Sequence, residues 1–129
     1  PEYEKWFQIV YDAREDARQF IQARLDAGEK VRGYEVDRRL KERFEQLGCA
    51  QYLMHRTGHN IGHRCHGIGA NLDDYETHDD RCLLPGTMFS IEPGLYTDKY
   101  GVRLEYDVHI TSEGETKVYG PVQDEILVI

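Results

Sequence analysis

The sequence is poor in cysteine and proline and has no long apolar run. Its 129 residues include four prolines and three cysteines, Cys49, Cys65 and Cys82. An odd, sparse set of cysteines makes a poor disulfide framework, and the spacing matches no zinc knuckle, so we expect free thiols in a cytoplasmic, reducing compartment. No stretch of about 18 apolar residues occurs, so we expect neither a membrane-spanning helix nor a membrane partner.

Basic residues are also scarce. Sixteen lysines and arginines stand against 24 aspartates and glutamates, which gives a formal net charge of -8. A nucleic-acid-binding protein normally presents a basic face, so no nucleic-acid partner is expected. The length is that of one domain. Because the sequence starts at Pro1 with neither a methionine nor a signal peptide, we expect it to be an internal piece of a longer protein.

Apolar residues recur at helical spacing in the first third of the chain. The pattern predicts one amphipathic helix over 3–27 and a second over 34–47, followed by Gly28 and Gly48. The charged remainder of the first helix, which includes Arg14, is interpreted as a solvated face. The rest of the chain predicts short strands and loops: strands over 52–55, 88–92, 101–111, 116–119 and 125–128, a polar surface loop over 70–87 and a hairpin turn over 112–115. Helices followed by antiparallel strands predict an α+β fold.

Four histidines crowd into twelve residues, and glycines are interspersed among them. The histidines are His55, His59, His63 and His66. Glycine lets the backbone approach a metal ion or a ligand closely. The spacing is not that of an HExxH zinc motif. Composition alone therefore leaves two interpretations open, a metal or catalytic site and a set of structural histidines.

Two glutamates lie in mostly apolar, strand-like segments. Glu92 and Glu105 each need a partner if they are buried, because an unpaired buried carboxylate costs several kcal/mol. The partner is either a cation or Arg103, unless both residues lie on an exposed strand face. In an alternating strand Arg103 and Glu105 share one face, so both could point into one site.

Taken in order, four segments resemble the signature of the pita-bread metallopeptidases: 55–62, His66, 84–96 and 101–105. This superfamily, with the creatinase–methionine aminopeptidase fold, includes methionine aminopeptidase, aminopeptidase P, prolidase and creatinase. The resemblance implies that residues 1–129 form the C-terminal half of the catalytic domain, and that the N-terminal part with two metal-binding aspartates lies outside them. The stretch from His66 to Arg81 is most similar to Xaa-Pro aminopeptidases and prolidases.

The resemblance also implies roles for six residues. His59, Glu92 and Glu105 match three metal ligands of the family, while His55, His66 and Arg103 match residues of the peptidase active site. It further implies two divalent cations, with Mn(II) the best suited and Co, Fe or Zn as alternatives, a peptide substrate with proline at its second position, and a homodimer. Cys65 is interpreted as a packing residue, and Gly67, His63 and Arg64 depart from the family pattern.

Two other functions remain open at this point. A creatinase-like enzyme would hydrolyse non-peptide C–N bonds, and a module without catalytic function would only bind a partner. His55, His66 and Arg103 together favour the peptidase, and the intact set of His59, Glu92 and Glu105 argues against the non-catalytic module. With three of five family ligands, the isolated chain is expected to be inactive and to bind divalent metal weakly.

Overall fold

Two long helices open the chain in the computed structural model, which describes residues 1–129. Helix α1 spans Glu2–Asp26 and helix α2 spans Gly33–Gln46, followed by a 3-10 turn at Ala50–Tyr52. Gly28 and Gly48 end the helices with φ angles of 71°, a conformation that glycine adopts without steric cost. The Glu35 carboxylate accepts a hydrogen bond of 2.7 Å from the Arg32 backbone and so caps the start of α2.

Six short antiparallel strands follow the helices and form two sheets. A four-stranded sheet has the order β1-β2-β5-β6, and β3 and β4 form a separate two-stranded sheet. The strands are β1 Asn60–Ile61, β2 Met88–Ile91, β3 Gly94–Tyr96, β4 Gly101–Arg103, β5 Tyr106–Ile110 and β6 Thr116–Tyr119. Helices followed by antiparallel strands confirm the α+β prediction. Neither helix combines the length and the apolarity needed to cross a membrane.

Two clusters of buried apolar side chains hold the helices against the sheets. The larger one joins Ile21 of α1 and Val36 of α2 to Phe89 and Val108 of the four-stranded sheet. The second joins Val10 of α1 and Phe44 of α2 to Leu95 of the two-stranded sheet. Both helices therefore contribute to both clusters, which fixes the position of one sheet relative to the other.

The junction between the two sheets is the feature that positions the site. Ile91 pairs with Tyr106 in the four-stranded sheet, and Gly94 pairs with Arg103 in the two-stranded sheet. The alignment of the two chain segments continues unchanged from the first pair to the second, so Glu92 lies opposite Glu105 in the gap between the two sheets. Pro93 has no N–H to donate there, so the ladder is interrupted at that residue. Both carboxylates consequently occur where the regular sheet stops.

Three strand predictions are corrected by the structure. Residues 52–55 form no strand, because residues 50–53 close a 3-10 turn with bonds from Tyr52 to Cys49 and from Leu53 to Ala50. The segment 101–111 is two strands, β4 and β5, separated at Leu104–Glu105. Residues 125–128 also form no strand, because they pair with no other segment and stay exposed. The strand predicted over 88–92 is confirmed over 88–91, the strand over 116–119 is confirmed, and the turn predicted over 112–115 contains Gly114 at a positive φ.

Two surface predictions are also wrong. The segment 70–87 lacks regular structure but is not simply a polar surface loop, because Asp73, Asp79 and Leu83 are buried. Arg14 is not solvated, since it is 0% exposed and its guanidinium donates a hydrogen bond of 3.1 Å to the Gln123 carbonyl. The guanidinium carbon also lies 4.5 Å from the centre of the Tyr106 ring, a cation–π contact.

Candidate metal centre

Three side chains that can ligate a cation converge at the junction of the sheets. His59 precedes β1, Glu92 follows β2, and Glu105 precedes β5. One ligand atom from each residue lies within 4.8 Å of the other two, and His59 Nε2 is 3.1 Å from Glu92 Oε1. Bonds of about 2.0–2.2 Å from a cation to imidazole and carboxylate ligands require small side-chain rotations from this arrangement.

The hydrogen bond made by Nδ1 of His59 determines which nitrogen of the ring carries the proton. Nδ1 lies 3.1 Å from the Asn60 carbonyl oxygen, which can only accept, so Nδ1 carries a proton and donates. In neutral imidazole the lone pair is then on Nε2 and points towards the Glu92 carboxylate. Metal-binding histidines are usually held in this way, with the second ring nitrogen donating to a carbonyl or a carboxylate.

Ser90 connects His59 to Glu92 directly. Its hydroxyl accepts a hydrogen bond of 3.0 Å from the His59 backbone N–H and donates one of 2.9 Å to Glu92 Oε1. Ser90 is fully buried. The loop approaches β2 so closely here that a Cβ atom on Gly58 would lie 1.9 Å from the Ser90 carbonyl oxygen. Glycine at position 58 therefore allows the contact that aligns the two ligands.

A buried carboxylate on α2 anchors the loop that carries His59. Asp37 accepts hydrogen bonds from the Thr57 backbone at 2.9 Å and from the Thr57 hydroxyl at 2.6 Å, and a third from the Asp74 backbone at 2.6 Å. Burial raises the pKa of Asp37 against these hydrogen bonds, which favour the ionised form. Helix α2 thus fixes both the loop that precedes β1 and the segment after Leu72.

The electrostatics of the cluster fit a divalent cation. Partial burial, and next the neighbouring Glu92, raise the pKa of Glu105, which shows that a second negative charge is unfavourable there. The donors are two carboxylates and one imidazole, a set typical of Mn(II), Fe(II), Co(II) or Zn(II). One bound cation would neutralise both carboxylates and accept the His59 lone pair. The residues present therefore fit the cation that the sequence resemblance implies.

The three remaining predicted residues surround the cluster. His55, His66 and Arg103 line a polar cavity of about 200 Å³ together with His59 and Glu92. The His66 ring centre is 4.3 Å from that of His59, and Arg103 Nη1 is 4.0 Å from Glu92 Oε2. All six predicted site residues thus occur in one place.

Tyr96 fixes the orientation of His55. Burial, outweighing Arg103, raises the pKa of Tyr96, so its hydroxyl is neutral and donates to His55 Nε2 over 2.6 Å. The other ring nitrogen, Nδ1, then donates to the Arg56 carbonyl oxygen over 2.7 Å. A Cβ atom on Gly94 would come within 2.6 Å of the Tyr96 hydroxyl and 2.9 Å of His55 Nε2, so this pair depends on a glycine.

The sequence alone did not identify Glu76, Ser90 and Tyr96 as residues of the site, and Cys65 was misinterpreted. Glu76 lines the cavity, and Ser90 and Tyr96 position the predicted residues. Glu76 lies in a polar stretch with nothing in the local sequence to mark it. Ser90 and Tyr96 lie within the same segment as Glu92, and that proximity was the available signal. Cys65, predicted to be a packing residue, is exposed and lies beside His59 and His66.

The fold and the three converging side chains define a carboxylate-rich candidate cation centre between two small antiparallel sheets. The model of metallopeptidase family M24 matches residues 1–112, and the chain belongs to this family. The chain is 36% identical over 90 residues to a protein named probable dipeptidase PepE from Mycobacterium tuberculosis, covering 68% of the chain and 23% of that protein. It is 31% identical over 110 residues to an Xaa-Pro dipeptidase from Lactobacillus helveticus, covering 81% and 27%.

Solved structures show the same likeness. A dipeptidase from Pyrococcus horikoshii superimposes with a TM-score of 0.79 at 29% identity, covering 97% of this chain and 32% of that one. A recombinant prolidase from Thermococcus sibiricus gives a TM-score of 0.79 at 28% identity, covering 97% and 31%. The helices and sheets are thus those of the pita-bread fold. The chain spans about a quarter to a third of the length of the relatives it matches.

Proposed function

We propose that this chain is the C-terminal part of the catalytic domain of a metallopeptidase that cleaves Xaa-Pro dipeptides. The observation that carries the proposal is the cluster of His59, Glu92 and Glu105, with the His59 ring held through Nδ1 and its Nε2 facing Glu92. The names of the relatives from Lactobacillus helveticus and Thermococcus sibiricus support the substrate class.

His59, Glu92 and Glu105 would hold divalent cations, of which we propose two, with Mn(II) preferred. Bound cations supply Lewis-acid activation of water at neutral pH. Two carboxylates offset the charge of one divalent ion. They do not offset the charge of two such ions, which also repel each other at short distance. We therefore propose that further carboxylates, from residues outside 1–129, complete the ligand set.

The residues around the cluster would bind and orient the peptide. His66 is exposed at the cavity and can donate a hydrogen bond to a carbonyl oxygen that gains negative charge. Arg103, with a side chain 54% exposed, has donors free to bind a substrate carboxylate while one nitrogen remains near Glu92. The hydrogen bond from Tyr96 gives His55 a single orientation at the same cavity. We propose these three residues as catalytic.

Location and assembly are part of the same proposal. Three free cysteines are consistent with a reducing, cytoplasmic compartment. A homodimer is supported by apolar side chains on the C-terminal segment, where Leu127 and Val128 are exposed by 73% and 91%. Contiguous exposed apolar surface commonly marks an interface.

The proposal is tested on the longer protein that we propose contains these residues. Loaded with Mn(II), it should hydrolyse an Xaa-Pro dipeptide, and His66→Ala should reduce turnover strongly while its manganese content stays near normal. The matched control is His78→Ala, which changes an exposed histidine outside the cavity and should leave turnover near normal. Hydrolysis of creatine instead of the dipeptide would favour the creatinase-like alternative and overturn the proposal.

A further inference from the structure

A second group of metal-binding side chains shares His59 with the carboxylate cluster. Ligand atoms of His59, Cys65 and His66 all lie within 4.8 Å of one another. The group offers one thiolate and two imidazoles, and it contains no carboxylate. Soft thiolate ligands select Zn(II), Cu(I) and related ions over the hard ions that oxygen ligands prefer.

One backbone hydrogen bond within the loop that carries Cys65 and His66, and one from the loop back to β1, hold this loop closed. The Gly67 N–H donates to the Asn60 carbonyl oxygen over 2.9 Å, and the Gly62 N–H donates to the Arg64 carbonyl oxygen over 3.1 Å. A Cβ atom on Gly67 would lie 2.1 Å from Asn60 Oδ1, so the backbone returns tightly against β1 at that position. The loop is therefore short and places the side chains of Cys65 and His66 beside His59.

The side chains have the freedom that metal binding needs. Cys65 and His66 are exposed, so they can rotate without repacking the interior, while His59 is buried and held by its backbone and ring hydrogen bonds. Bonds of about 2.3 Å to sulfur and about 2.0–2.1 Å to nitrogen would draw the three ligand atoms closer than they lie here. Rotation of the two exposed side chains supplies that movement.

We propose that His59, Cys65 and His66 form a site for a thiophilic divalent cation such as Zn(II), which differs from the carboxylate-rich site in its other ligands but shares His59 with it. Three protein ligands leave a fourth position for water, the coordination number that zinc adopts with such donors. Since His59 belongs to both clusters, a cation held by the thiolate competes with a cation held by Glu92 and Glu105. The inference is independent of the peptidase proposal, because it rests on three side chains and not on catalysis.

The test uses Co(II) alone as the probe, added to the reduced 129-residue chain. Thiolate-bound cobalt has an intense near-ultraviolet charge-transfer band that imidazole and carboxylate ligands do not produce. The band should appear with the unmodified chain and be lost in Cys65→Ser. The affinity for Co(II), measured from the growth of the band during titration, should fall at least about tenfold in His66→Ala, because one of three protein ligands is removed.

Two control variants separate this site from the alternatives. Cys82→Ser removes another thiol and should retain the band, and Glu105→Gln weakens the carboxylate site and should also retain it. Circular dichroism of each variant checks the fold, which exposed substitutions such as Cys65→Ser should leave unchanged. Absence of the band in the unmodified chain, or its persistence in Cys65→Ser, would overturn the proposal.

Discussion

Glu92 and Glu105 lie directly opposite each other at the junction of two sheets that share one register. Like charges at opposing positions of adjacent strands destabilise a sheet. Arg103 offsets part of this repulsion, because its Nη1 lies 4.0 Å from Glu92 Oε2. The pKa of Glu105 is nevertheless raised, first by partial burial and next by Glu92, so a bound cation would stabilise the ionised form of this pair.

Replacing Ser90 by alanine should weaken cation binding and destabilise the fold. The substitution leaves the His59 backbone N–H buried without a partner and removes a donor from Glu92. An unpaired buried group costs about 1–3 kcal/mol, and loss of a residue that orients a ligand lowers metal affinity about 10- to 100-fold. Urea unfolding and Mn(II) titration measure the two effects.

The control for Ser90→Ala is Ser112→Ala, in the exposed hairpin turn. This change should stay within about 0.5 kcal/mol of the unmodified chain and should not alter Mn(II) affinity. Equal effects of the two substitutions would contradict the bridging role of Ser90.

Gly58→Ala should be among the most disruptive single-methyl additions in the chain. The new methyl group would lie 1.9 Å from the Ser90 carbonyl oxygen, and backbone cannot give way as a flexible side chain does. We expect a loss of more than about 3 kcal/mol in the free energy of unfolding, the upper range for overpacking. Gly48→Ala is the matched comparison, because its φ is 71° and no atom lies within 4 Å of the new carbon. It should cost only about 1–2 kcal/mol. An equal or larger loss for Gly48→Ala would contradict the close approach at Gly58.

Asp79 should make stability dependent on acid pH. Hydrogen bonds from Arg81 hold the pKa of Asp79 below its ordinary value of 3.8. A lowered pKa in the folded state means that the stabilisation is fully present above pH 3.8 and is lost as the pH falls from there through the folded value. Asp79→Asn should therefore cost about 1.5–3 kcal/mol at neutral pH and progressively less below pH 3.8.

Urea unfolding across this pH range measures that difference, and Asp80→Asn is the control. Asp80 is the adjacent, exposed aspartate, so its substitution should change stability little at any pH. A cost of Asp79→Asn that stays constant from neutral to acid pH would show that the carboxylate charge is not what matters.

His66→Ala should leave Mn(II) binding near normal, whereas His59→Ala should abolish it. His59 is held with its Nε2 towards Glu92, but His66 is exposed and pairs with no carboxylate. Manganese also prefers oxygen ligands, so it should not draw on the thiolate and the second imidazole. Loss of manganese on substitution of His66 would move that residue into the ligand set of the carboxylate site.

The sequence pattern predicted the parts of the fold that depend on long periodic segments. Both helices begin and end within one residue of the prediction, because each carries an apolar stripe and ends at a glycine. The short apolar run over 52–55 was predicted to be a strand, but local bonds between residues 49 and 53 close a 3-10 turn instead. A run of four residues does not carry enough periodicity to separate these outcomes.

The site residues that belong to the family motif could be predicted from the sequence. Features that depend on contacts between distant parts of the chain could not. The motif residues His59, Glu92 and Glu105 do converge. The separation of β4 from β5 at Glu105 follows from pairing with two different partner strands, which residues 101–111 alone do not reveal. Burial of Arg14 likewise depends on Gln123 and Tyr106, both more than 90 positions away.

Titration of the purified chain with Mn(II) tests the central claim most directly. The account predicts weak but measurable binding that falls by more than about tenfold, or about 1.4 kcal/mol, in Glu92→Gln and in Glu105→Gln. Glu76→Gln, which changes another glutamate of the same cavity, should leave the affinity unchanged. Binding that is insensitive to Glu92→Gln and Glu105→Gln would contradict a cation centre at the junction of the two sheets.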